Sequence, residues 1–355
     1  MFLQDLENRR LPFIIPEGVT PDTWKDYRSE VIKTFSDEVY GISPPAPEKV
    51  EADIISSQPR EWAGKAEHRE ISIGFDTPGG RFSFPVHLVL PVSDKLLPLI
   101  IYVSFTPYPV GEYGPIEEII DNGYALAIIY YNDISLDKDD GFSSGLAAMY
   151  DRNGDDGRMW GKISMWAWAS SRVMDYVQTM DNINKDRIYC MGHSRLGKTS
   201  LWCAAQDERF RGVASNNSGC SGVAVSRGKR GERISDIVKA FPYWFCKNYQ
   251  KYADREHEMP FEQSQLVSMI APRLLAVCNA EEDIWADPDS EFMSVYEAGR
   301  VYDFLGTSGL SAPPQYPKPG DDFPEGNIGY SLRSGTHFLS RHDWIFYLKF
   351  FDLHQ

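Results

Sequence analysis

Apolar residues fall in short continuous runs along this chain, separated by stretches with helical spacing. LPLIIYVSF (97–105) and YALAIIYY (124–131) are apolar on both faces, and a helical GPIEEIID lies between them. Such runs, divided by helices, predict a parallel sheet covered on both sides. Further strands are expected at RIYCMG, GVASNNSG, RLLAVCNA and NIGYSLRSG. Helices are expected at about 160–180, LWCAAQD, SEFMSVYEAGRVYDFLG and RHDWIFYLKFFDL. In the first of these, Trp160, Met165, Trp168, Val173, Met174 and Val177 recur near helical spacing and read as core. HREISIGFDT and RFSFPVHLVLP flank a Pro-Gly-Gly turn and read as a hairpin. Residues 132–158, rich in Asp and Gly, read as a long loop. Residues 1–65, rich in Pro, Glu and Asp with one helical stretch near 21–38, read as an N-terminal arm packing on the domain. The rest, 66–355, reads as one α/β domain in three layers: a mostly parallel central sheet flanked by helices on both faces.

Composition narrows the function. A chain of 355 residues, 42% hydrophobic and 25% charged, suits one large soluble domain. Its formal net charge of -15 argues against nucleic acid or an anionic membrane as partner. The start, MFLQDLENRRLPF, lacks the basic end and apolar run of a signal peptide, and no apolar run approaches a membrane span. The five cysteines are scattered without C-x-x-C spacing, which argues against a zinc site and fits a reduced compartment. The expectation is a cytoplasmic protein as the sequence stands, or a secreted one if an export signal has been removed. No metal and no cofactor are expected, and the sequence leaves the oligomeric state unknown.

The chemistry turns on YCMGHSRLGKTSLW (189–202). Gly192, Gly197, Lys198 and Thr199 match the phosphate loop G-x-x-x-x-G-K-[ST] at every fixed position. Gly192-His193-Ser194 also opens like the nucleophile elbow G-x-S-x-G, with its last glycine one residue late. A phosphate loop normally follows the first strand of its domain, and a later apolar strand ends in an Asp for Mg²⁺. Here at least four strand-like runs come first, and the apolar run followed closely by Asp, ALAIIYYND, precedes the motif. A serine nucleophile in the α/β-hydrolase fold needs the chain order serine, acid, histidine, each after a strand. RIYCM leads into Ser194, RLLAVCNA into the acidic loop EEDIWADPDSEF, and NIGYSLRSG into Thr336-His337. Among seven histidines, His337 and His342 lie where the base is needed, and His337 directly follows its strand. The backbone N–H of Arg195, with a second donor near Phe105-Thr106, would hold the oxyanion.

With these residues in view, the chain resembles the glucuronoyl esterases, carbohydrate esterase family 15, and especially their bacterial members. The family signature G-[CH]-S-R-x-G-K stands here as Gly192-His193-Ser194-Arg195-Leu196-Gly197-Lys198. MWAWASSRVMDYV, AAQDERFRGVASNNSG, GERI followed by FPYWFC, and RSGTHFLSRHDWIFYLKFF also match, over roughly 95–355. The resemblance implies one α/β-hydrolase domain hydrolysing esters of glucuronate, often 4-O-methylated on xylan, with lignin alcohols. The partner would be a glucuronoxylan-derived or lignin–carbohydrate ester. Ser194 would be the nucleophile, His337 the base and Arg195 an aid to the oxyanion. Lys198, Glu232 and Trp285 would contact the sugar. In the fungal pattern the acid is a Glu after the strand following the nucleophile; Asn217 stands there in this chain. Asp283, in the D-x-W arrangement of bacterial relatives and a few residues past RLLAVCNA, is the expected acid. Glu281 and Glu282 would be solvated, and Asp287 and Asp289 would help start the next helix. The alternatives are an acetyl xylan esterase or general carboxylesterase of the same fold and, more remotely, a phosphate-loop nucleotide-binding protein.

Overall fold

In the computed structural model, which describes residues 2–355, the described strands form a single ten-stranded sheet. They are β1 (Glu51–Arg60), β2 (Ala66–Thr77), β3 (Gly80–Pro91), β4 (Leu97–Ser104), β5 (Ala125–Tyr130), β6 (Ile183–His193), β7 (Gly212–Asn216), β8 (Leu274–Ala280), β9 (Asp321–Phe323) and β10 (Ile328–Arg333). Their spatial order is β1-β2-β3-β5-β4-β6-β7-β8-β10-β9. β1, β2, β3 and β5 pair antiparallel, the neighbours from β5 through β10 pair parallel, and β9 closes the far edge antiparallel. This is the α/β-hydrolase arrangement.

The reason the central strands read as continuous apolar runs is visible in β4, where every residue is buried. Leu99, Ile101 and Val103 join a core with the helices Lys162–Val177, Arg195–Gln206 and Pro288–Phe304. Ile100 and Tyr102 join a second core on the opposite face, with the helices Ile116–Asp121 and Arg341–Leu353. Side chains alternate across a strand, so a strand with helices on both faces must be apolar at every position. No described helix is long and apolar enough to cross a membrane.

Residues 2–65 pack against the rest of the chain. Phe2 sits among the rings of Phe292, Tyr296 and Tyr316 at 5.0–5.3 Å between centroids. The helix Trp24–Phe35 buries Trp24, Arg28, Val31 and Phe35. The Arg28 guanidinium donates to the carbonyls of Met269 (3.0 Å) and Ala205 (2.5 Å). The same segment also ends in β1, which pairs with β2 from Glu51↔Gly74 to Gln58↔His68. Its polar sequence hides this strand: β1 lies at the sheet edge with most of its residues exposed, so no apolar alternation marks it. The region 132–158 also holds more structure than a loop, with short turns of helix at Tyr131–Ile134 and Gly145–Met149.

Candidate active site

The three candidate loops leave the carboxyl ends of β6, β8 and β10, neighbours in the parallel part of the sheet except for β7 between β6 and β8. Ligand sites of open α/β sheets sit at these ends. At the end of β6 the chain reverses sharply into the helix Arg195–Gln206. Ser194 carries the turn with φ 56° and ψ −126°, a strained conformation for a non-glycine residue. Its N–H donates to Asn216 O (2.8 Å), and its carbonyl accepts from Gly197 (2.9 Å) and Lys198 (3.1 Å). Gly192 must be glycine, because a Cβ there would meet the Leu196 carbonyl oxygen at 2.1 Å. The Arg195 N–H opens the helix and so has no intrahelical acceptor.

His337 and Asp283 come together, with Nδ1 of the imidazole 2.6 Å from Oδ2 of the carboxylate. The backbone explains how residues 54 apart in sequence meet. Beyond the paired strands β8 and β10, Glu281 N–H donates to Arg333 O (2.9 Å) and Glu282 N–H to Gly335 O (3.0 Å). The acid loop is thus laced to the histidine loop. Asp283 is buried, and its other oxygen accepts from Ala286 N–H at 3.1 Å. A carboxylate on Nδ1 selects the tautomer that leaves Nε2 free to take a proton. Glu281 and Glu282 are exposed, as is His342 on the final helix. Asp287 accepts from Arg230 N–H (2.8 Å) and the Ser290 hydroxyl (2.6 Å) at the start of the helix Pro288–Phe304.

The candidate sugar contacts also converge. Lys198 is buried, and its ammonium donates to Ser218 O (2.7 Å) and Glu232 Oε2 (3.4 Å). Glu232 N–H donates to Trp285 O (2.9 Å), and Lys229 Nζ donates to the same carbonyl (2.9 Å). Gly231, at φ +65°, allows this approach: a Cβ there would meet Ile284 O at 2.2 Å. The Trp285 side chain itself is 56% exposed and presents its indole outward. Of an ammonium's three donors, two are engaged on Lys198 among the described residues.

Two positions gain detail. Asn217 does not merely vacate the fungal acid position. It is buried at φ 42°, accepts from Ala280 N–H (3.0 Å) and donates to Asn216 Oδ1 (3.0 Å), so it splices β7 to β8. In the loop near Phe105-Thr106, the Thr106 N–H donates to Ser104 Oγ (3.2 Å).

The structure adds residues to which the sequence analysis gave no role. His193 is buried, its ring 4.6 Å from that of His337. Burial and the neighbouring His337 push its pKa down to about 3. It therefore stays neutral and puts no second cation beside His337. Asn216 Nδ2 donates to Cys278 O (3.3 Å) and Tyr347 OH (3.0 Å), which turns Oδ1 towards His193 Nδ1 at 2.6 Å. Nδ1 of His193 is therefore the protonated nitrogen. Arg333 braces the histidine loop, donating to the carbonyls of Ser334 (3.0 Å), Thr336 (3.3 Å) and Phe338. The fully buried Asp343 at 3.1 Å balances its charge. Among the described residues no group of three His, Cys, Asp or Glu side chains is placed to hold a metal.

Behind the acid loop, the fully buried Glu291 accepts from Gly219 N–H. Burial raises its pKa from 4.5 to about 7, opposed by that N–H and by Asn279. A carboxyl whose pKa is higher folded than unfolded holds its proton more tightly when folded. The stability this gives is full below about 4.5 and is lost as pH rises to about 7. The size is on the order of 3 kcal/mol. The melting temperature is expected to fall as pH rises through that window, and Glu291→Gln to flatten the fall. Equal slopes for the two proteins in calorimetry would refute this assignment.

The comparisons with known proteins agree on one family. A family model described as "Glucuronyl esterase, fungi" matches residues 73–306. A prokaryotic protein of unknown organism, "Carbohydrate esterase MZ0003", is 42% identical over 68% of this chain. The match spans 56% of that relative's own length. "4-O-methyl-glucuronoyl methylesterase 1" of Wolfiporia cocos is 27% identical over 84% of this chain and 73% of its own. Among solved structures, a glucuronoyl esterase from Solibacter usitatus superposes with a TM-score of 0.90 at 32% identity, covering 97% of both chains.

Proposed function

This chain belongs to the glucuronoyl esterases of carbohydrate esterase family 15, and on that premise we propose that it is a serine esterase hydrolysing esters of glucuronic or 4-O-methyl-glucuronic acid, as in lignin–xylan linkages. The observation that carries the reading is the Asp283–His337 pair at 2.6 Å, its imidazole 4.6 Å from the ring of His193, which directly precedes the strained elbow residue Ser194.

A serine hydroxyl is a weak nucleophile until a base takes its proton. His337 Nε2 takes the proton as Ser194 Oγ bonds to the ester carbonyl carbon. The carbonyl π electrons move onto oxygen, giving an oxyanion. Asp283 stabilises the imidazolium that has formed and keeps its orientation. The Arg195 N–H and guanidinium stabilise the oxyanion. Collapse re-forms the carbonyl and breaks the bond to the leaving alcohol, which takes its proton from His337. Water then repeats the sequence on the uronyl-serine ester, releasing uronic acid and Ser194. Lys198 and Glu232 hold sugar oxygens through a donor and an acceptor on one buried ion pair, and Trp285 offers its exposed indole. A buried charged pair dedicated to hydroxyl and ether oxygens favours a sugar acid over a simple acetyl group.

Turnover of benzyl glucuronate against p-nitrophenyl acetate tests the substrate class. A kcat/KM at least tenfold higher on the glucuronate is expected. Hydrolysis of the acetate alone would point to an acetyl or general carboxylesterase and overturn the substrate reading. Micromolar binding of Mg-ATP in calorimetry would overturn the esterase reading itself.

A further inference from the structure

Nothing in its own helix holds the Arg195 side chain. Its guanidinium lies 4.7 Å from the ring centroid of Trp244, 5.4 Å from Phe241 and 5.5 Å from Phe105. Phe105 in turn packs against His193 at 6.0 Å. One terminal nitrogen of Arg195 donates to Asp137 Oδ2. Asp137 lies 58 residues away in sequence, and its side chain is only 4% exposed. Its other oxygen accepts the Trp244 indole N–H at 2.7 Å, and Tyr131 OH donates to Oδ2 at 3.3 Å. The backbone around Asp137 is equally constrained. Its N–H donates to Asn132 Oδ1 (2.7 Å). The fully buried Lys162 donates to the carbonyls on either side, Leu136 O (2.6 Å) and Lys138 O (2.5 Å), and to Asp140 Oδ1 (2.8 Å).

An exposed arginine samples many rotamers, and an exposed ion pair does little to restrict them. Here the acceptor is buried, fixed from below and shared with an indole donor. Preorganised charge is effective in catalysis because it needs no rearrangement when the transition state forms. We propose that Asp137 is the positioning residue of Arg195, its buried carboxylate holding the guanidinium ready beside Ser194 before the oxyanion forms. This rests on the esterase reading above, with Arg195 at the oxyanion.

The test is a double-mutant cycle on benzyl glucuronate, with kcat and KM measured separately. Arg195→Ala is expected to lower kcat by about 10²–10³-fold. Asp137→Asn should lower kcat by about 10–100-fold with KM changed less than about threefold, and Asp137→Glu should recover part of the loss. In the Arg195→Ala background, Asp137→Asn should change kcat less than about twofold, because its effect passes through the missing guanidinium. Trp244→Phe keeps a ring over Arg195 but removes the indole donor. It gives a smaller kcat loss that should also vanish without Arg195, and it serves if Asp137→Asn folds poorly. If Arg195→Ala lowers kcat while Asp137→Asn and Trp244→Phe do not, or if their losses multiply fully with that of Arg195→Ala, Asp137 is only structural and the proposal falls. If Arg195→Ala itself leaves kcat intact, the oxyanion assignment falls with it.

Discussion

Ser194→Ala is expected to reduce ester hydrolysis by about 10⁴–10⁶-fold, leaving only the weak catalysis of binding and the oxyanion donors. The change removes a single oxygen. Alanine keeps the Cβ, so the strained turn at φ 56° is neither relieved nor worsened. The backbone bonds that build the elbow, Ser194 N–H to Asn216 O and Gly197 N–H to Ser194 O, do not involve the side chain. The melting temperature and the affinity for glucuronate should therefore match the parent protein. A serine-directed phosphonate should label the parent at this residue and leave the variant unlabelled. Turnover within tenfold of the parent in a pure preparation would mean that another residue attacks the ester.

Asp283→Asn should lower kcat by about 10⁴-fold with the fold intact. The substituted amide can still accept from Ala286 N–H, as Oδ1 does now. Towards His337 it offers an N–H where a carboxylate stood. That forces Nδ1 to accept, moves the ring proton to Nε2 and leaves no lone pair to receive the serine proton. The missing negative charge also leaves the imidazolium unsupported. Asn217→Ala should do the reverse, removing the acceptor for the buried Ala280 N–H. It should cost about 1–3 kcal/mol of stability while the folded fraction keeps kcat within a few-fold. Near-normal turnover by Asp283→Asn with the fold intact would overturn the acid assignment.

Local order made much of this protein legible in its sequence. Strands buried on both faces have to be apolar at every position, so LPLIIYVSF and RLLAVCNA announce themselves. A strand, a serine with glycines two residues before and three after it, and a helix read as an elbow, and the chain order serine, acid, histidine of the α/β-hydrolase fold pointed to the later loops. Sequence position weighed against a phosphate cradle at the glycine motif, because too many strands preceded it.

What the tertiary structure alone decided shares one property: it depends on contacts between distant residues that leave no periodic trace. β1 is a polar edge strand, with no buried face to write an alternation into its sequence. The resemblance pointed to Asp283 among the acids of its loop, but only the fold shows how it reaches His337: backbone bonds lace Glu281 to Arg333 and Glu282 to Gly335. Asn217, legible only as an absent acid, is a splice between strands. Asp137, one of many aspartates in an Asp- and Gly-rich stretch, is distinguished by where the chain carries it: under Arg195 and against Trp244, 107 residues away. Sequence can state that a carboxylate exists, but burial and a fixed cationic partner, which give it a role, are properties of the folded chain.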